Sequence, residues 1–124
     1  MYQRAIEIGK KSLGTDHPNL ALFFSNLAGL NMSQGKYAEA EPLYQRSLKI
    51  KEKALGKDHP SVATTLYGLA LLYKSQGKYT EAEPLYQRSV EIFEKAFGRE
   101  HSNYKTVKKN YSKMLSEKLK FPNK

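Results

Sequence analysis

The chain has 124 residues, 40% hydrophobic and 27% charged, with a formal net charge of +9. It is long enough for one domain and ordinary in composition for a folded protein. Cysteine is absent, which excludes disulfides and thiolate metal sites and leaves the redox compartment unread. The charge is uneven: up to Gly98 there are 13 Lys and Arg against 10 Asp and Glu, and from Arg99 onward 8 against 2.

In chain order, Tyr2 to Leu13 has the pattern of a short helix with no secretory apolar core, so a cytoplasmic location is expected. Pro18 to Gly35 carries no charge, but Asn19, Ser25, Asn26, Asn31, Ser33 and Gln34 make it too polar for a membrane span of about 20 apolar residues. It reads as a helix from Pro18 to Gln34, followed by a second from Glu39 to Leu55 that Gly56 stops.

Leu55 to Ala96 repeats Leu13 to Ala54 at a 42-residue spacing, and the block EAEPLYQRS recurs unchanged at Glu39–Ser47 and Glu81–Ser89. Val62, Leu66, Leu69, Ala70 and Tyr73 form one apolar stripe. Pro60 suits the first turn, with Asp58 and His59 available to cap, and the helix is predicted over Pro60 to Gln76. Thr80 and Glu83 read as a capping box opening the next helix, with Pro84 in its first turn. A last helix is predicted over Ser102 to Leu119. A fixed period of this length marks a stacked repeat, in which each unit buries its core against its neighbours.

Leu66, Leu69, Ala70, Tyr73, Gly77, Tyr79, Ala82, Tyr86 and Ser89, with the linkers LGTDHP and LGKDHP, resemble the tetratricopeptide repeat (TPR) of the kinesin light chain-like, 42-residue type. The resemblance implies an all-α fold: a right-handed superhelical stack of antiparallel helix pairs, a solenoid of about six helices. It divides the chain into a partial first unit (1–13), repeats at 14–56 and 57–98, a partial C-terminal unit acting as a capping helix (99–120) and a tail (121–124). The third copy departs from the pattern. Its linker lacks proline, Leu119 stands for the turn glycine, and Lys108 and Tyr111 replace apolar residues, a polar drift suited to a cap.

The family function that the resemblance implies is non-catalytic binding of a partner's peptide segment in a concave groove. The candidate lining is Leu22, Ser25, Asn26, Gly29 and Met32 in the first repeat, Thr64, Tyr67, Leu71 and Lys74 in the second, and Lys109, Asn110 and Lys113 in the third. Asn26 and Asn110 match a main-chain-gripping asparagine ladder that Gly68 interrupts. The lysines favour an acidic or carboxylate-ended peptide with one large apolar anchor.

Other chemistries are less well supported. His17, His59 and His101 recur once per linker, too far apart for one metal ion, so no metal or cofactor is expected. Asp16-His17 and Asp58-His59 are sequence neighbours and do not make a triad, and no phosphate loop, HExxH or GxSxG occurs, so an enzyme is not expected. The basic C-terminal helix admits nucleic-acid or anionic-surface binding as an alternative. Incomplete terminal repeats also admit self-association, as a homodimer or an end-to-end stack.

Overall fold

Residues 18–120 are described by the structure, a computed structural model, and they form helices only: α1 Pro18–Ser33, α2 Tyr37–Leu55, α3 Pro60–Ser75, α4 Tyr79–Phe97 and α5 Ser102–Lys120. The expected helix at Tyr2 to Leu13, the linker residues Asp16 and His17, and the tail 121–124 lie outside the described residues. Two compact units meet in sequence at Lys57 and Asp58. The first holds α1 and α2, the second α3, α4 and α5.

Each hairpin turns on a glycine at positive φ. Gly35 (φ 76°) and Gly77 (φ 75°) follow the last helical carbonyls. Gly35 N donates to Met32 O at 3.0 Å and Lys36 N to Asn31 O at 2.7 Å; Gly77 N donates to Lys74 O at 2.9 Å and Lys78 N to Tyr73 O at 2.8 Å. This paired bonding closes a helix end in the Schellman manner and needs a left-handed residue that glycine supplies at no steric cost. The turn is so tight that Lys36 and Lys78 are already the N-caps of the next helices.

Both helices therefore start earlier than their sequence suggests. α2 begins at Tyr37 rather than Glu39. In α4, Thr80 is a helical residue, and no side chain caps the N-terminus. Instead the Lys78 carbonyl takes Ala82 N at 3.1 Å. Pro42 and Pro84 consequently lie inside their helices, beyond the first turn. Their missing N–H groups would have met the carbonyls of Ala38 and Thr80, both exposed residues that water reaches.

His59 does cap α3, its Nδ1 accepting from Ser61 N at 3.0 Å, and His101 accepts likewise from Asn103 N at 3.1 Å. The linker histidines described are thus helix caps.

In the first unit, Leu20, Ala21, Phe24 and Leu27 of α1 pack with Ile50 of α2. In the second, Val62, Ala63, Leu66, Leu69 and Ala70 are buried with Ala82, Tyr86, Val90 and Phe93 of α4. Small residues let the paired helices approach. The hydroxyl of Ser47 donates to Ala21 O, and that of Ser89 to Ala63 O, each at 2.9 Å.

α5 buries only Val107 and Met114, its face toward α4. Where α3 has Ala63, Leu66 and Ala70, α5 has Lys105, Lys108 and Ser112, all exposed. That polar drift holds for Lys108 but not for Tyr111, whose ring stacks on Tyr86 with centroids 5.8 Å apart.

Candidate functional site

The second unit brings predicted site residues of α3 and α5 together. Tyr67 comes from the middle of α3 and Asn110 from α5. Asn110 Nδ2 donates to the Tyr67 hydroxyl at 2.7 Å and to Thr106 O at 3.0 Å. Beside this pair lies a hollow of about 270 Å³ lined by Thr64, Tyr67, Phe93, Asn103, Thr106 and Val107. Its floor is apolar, from Phe93 and Val107, and its rim carries hydroxyls and an amide. Thr64 is exposed and Leu71 half-buried.

Lys74 has an internal partner. Its ammonium lies 3.9 Å from Glu117, both half-buried, so it ties α3 to α5. Three further cations near α5 are also matched: Lys118 with Glu83 at 2.9 Å, Lys105 with Glu100 at 3.4 Å and Arg99 with Glu94 at 2.9 Å. Lys109 and Lys113 are exposed and have no ion pair among the described residues. With Thr106 they fall at i, i+3 and i+7, which places all three on one stripe of α5.

In the first unit, Leu22 is 59% exposed, Asn26 is exposed and Met32 is half-buried. Ser25 faces its own hairpin: its hydroxyl meets that of Ser47 at 2.5 Å. The single Ser47 proton already goes to Ala21 O, so Ser25 is the donor. Gly29 stands under the second helix, with a Cβ placed there 4.0 Å from the Tyr44 hydroxyl.

Burial governs the tyrosines. Tyr86 is fully buried and its hydroxyl has no partner among the described residues. Burial, then the proximity of Tyr67 and Glu117, raises its pKa far above the usual phenol range. Tyr67 is raised by burial and pulled back by the Asn110 hydrogen bond. Tyr111 is raised by burial, then by Glu83. All three phenols thus keep their protons to a higher pH than an exposed tyrosine. Among the described residues no cluster of His, Asp and Glu is placed to hold a metal ion, and no helix is long and apolar enough to cross a membrane.

Sequence reasoning missed Phe93, Asn103 and Val107. Phe93 and Val107 carry only the apolar periodicity of core residues, and nothing local marks them as a pocket floor. Asn103 sits in the first turn of α5, where its type suggests capping.

The family profile described as tetratricopeptide repeat matches residues 20–95 and again 67–121. Among solved structures, BtubC (BKLC) from P. vanneervenii is 26% identical, with a TM-score of 0.82 over 94% of this chain and 46% of that one. A kinesin light chain-like protein of Podosopora anserina with nearly identical TPR-like repeats is also 26% identical, with a TM-score of 0.84 over 91% of this chain and 54% of that one. A point variant of that protein gives the same identity and score, over 53% of its length. The chain thus spans about half the length of these proteins. No curated protein sequence matches it.

Proposed function

The chain belongs to the tetratricopeptide repeat family, of the kinesin light chain-like type, and from that premise we propose that it binds an acidic peptide segment of a partner protein across α3 and α5. Repeats of this family are protein–protein interaction scaffolds. The finer reading rests on one observation: Lys109 and Lys113 are unmatched cations on the same stripe of α5 as Thr106, which rims a small apolar-floored hollow. Neighbouring carboxylates are already engaged by Lys74, Lys105, Lys118 and Arg99. An incoming carboxylate therefore meets two lysines that pair with no described acid.

At about 270 Å³ the hollow is smaller than most small-molecule sites, which run from roughly 300 to 1,000 Å³. It suits one side chain rather than a metabolite. Leu22 and Asn26 offer a second contact surface on the first unit. Binding of nucleic acid through α5 draws less support, because Lys105 and Lys118 already meet carboxylates.

A random peptide library displayed on phage and selected on the wild-type protein tests the proposal. Enriched sequences should carry Asp or Glu beside one apolar residue, and the Lys109→Glu/Lys113→Glu protein should lose them. Enrichment of basic sequences, or acidic sequences retained by the double variant, would refute it.

A further inference from the structure

Asn110 stands one repeat after Gly68 and two after Asn26, at the position where a main-chain-gripping amide is expected. Here its amide nitrogen is fully used. One proton goes to Thr106 O at 3.0 Å and the other to the Tyr67 hydroxyl at 2.7 Å. A backbone carbonyl only accepts, so the Thr106 bond fixes which end of the amide is nitrogen. The Tyr67 hydroxyl, having accepted, keeps its own proton to donate, and no described residue takes it. Tyr67 is only half-buried and rims the hollow beside Thr64 and Thr106.

We propose that Tyr67 is the recognising residue of this face, donating its hydroxyl proton to a main-chain carbonyl of the bound segment, and that Asn110 is a positioning residue that spends its two amide protons on orienting Tyr67 and on Thr106 rather than on the ligand. Two features fit this assignment. Asn110 is half-buried beneath the surface, whereas Asn26, at the equivalent position of the first repeat, is exposed. The position equivalent to Tyr67 in the first repeat is Ser25, which is turned into its hairpin against Ser47. The second unit instead holds a half-buried phenol donor, Tyr67, through the amide of Asn110. The segment it suits is extended, with a side chain of about Val or Leu size seated on Phe93 and Val107 next to the bonded carbonyl. This inference rests on the peptide-binding reading of the same face.

The test is a double-mutant cycle on the peptide most enriched by the wild-type protein, with affinities measured by calorimetry. A neutral hydrogen bond is worth about 0.5–1.5 kcal/mol, so Tyr67→Phe should weaken binding roughly 2- to 12-fold. Asn110→Ala should weaken it by no more than that, and should cost nothing further in the Tyr67→Phe background. Asn110→Leu, which keeps the branched shape of the side chain without its hydrogen bonds, repeats the test if alanine loosens α5. Without peptide, Asn110→Ala should raise the alkaline titration of the Tyr67 ring carbon signal, since the donor that favours phenolate is gone. Unchanged binding by Tyr67→Phe, or additive losses in the double variant, would overturn the assignment. Failure to enrich any peptide would instead sink the underlying reading, and this inference with it.

Discussion

The Ser89 hydroxyl donates to the carbonyl of Ala63 across the α3–α4 crossing at 2.9 Å, and Ser47 makes the same bond to Ala21 across α1–α2. Both serines end the repeated block EAEPLYQRS. A side chain this small lets two helix backbones close on each other, and its one proton is satisfied within the crossing.

Ser89→Leu should therefore destabilise by about 1–3 kcal/mol through overpacking. Ser89→Ala, which removes only the hydrogen bond, should cost about 1 kcal/mol. Urea denaturation separates them: the leucine variant must be the less stable. The reverse order would mean that the crossing has room to spare.

Met114 is fully buried and, with Val107, is all that α5 contributes to the core. Met114→Ala should cost about 2–5 kcal/mol, the range for emptying a packed site. Because α5 has so little other burial, the loss should appear first as faster amide exchange along Ser102–Lys120. Uniform exchange changes across α3 and α4 would show that α5 does not loosen on its own.

His59 caps α3 through Nδ1, so His59→Ala should lower stability by about 1 kcal/mol, while His59→Asn should retain most of it. Thermal denaturation at constant pH reads both. Unchanged stability in His59→Ala would show that the cap contributes nothing.

Tyr86 and Tyr67 have raised pKa values, chiefly from burial. The sign follows from proton linkage. Below about pH 10, the usual phenol value, both folded and unfolded tyrosines are protonated and the full stability is present. Above it the unfolded chain loses its protons first, so stability falls until the native phenols ionise. Tyr86→Phe should flatten that alkaline decline in denaturation midpoints measured from about pH 8 to about pH 11. It should also cost little at neutral pH, because the Tyr86 hydroxyl has no described partner.

Much of this architecture is legible in the chain. Pro60 in a first turn fixes where α3 starts, and the spacing of Val62, Leu66, Leu69 and Ala70 gives its buried face. The starts of α2 and α4 are less so, because Thr80 and Glu83 satisfy a capping pattern that the glycine turn overrides by making Lys78 the cap. The candidate site divides in a similar way. Helical spacing puts Tyr67, Lys74, Asn110 and Lys113 on defined stripes. It does not say which residue of a neighbouring helix lies within reach. Hence the Asn110–Tyr67 bond and the Lys74–Glu117 pair appear only once the helices are placed. Ser25 is assignable to a stripe, yet its bond to Ser47 within the hairpin is not readable from that spacing.

The most direct measurement is amide and methyl chemical-shift mapping with a library-selected acidic peptide added to the isotopically labelled protein. Saturable shifts should gather on Thr64, Tyr67, Asn103, Thr106, Lys109 and Lys113, and should vanish in the Lys109→Glu/Lys113→Glu protein. Shifts confined to Lys105, Lys108 and Ser112, or to Arg46, Lys49 and Lys53 of α2, with none around Tyr67, would contradict the account.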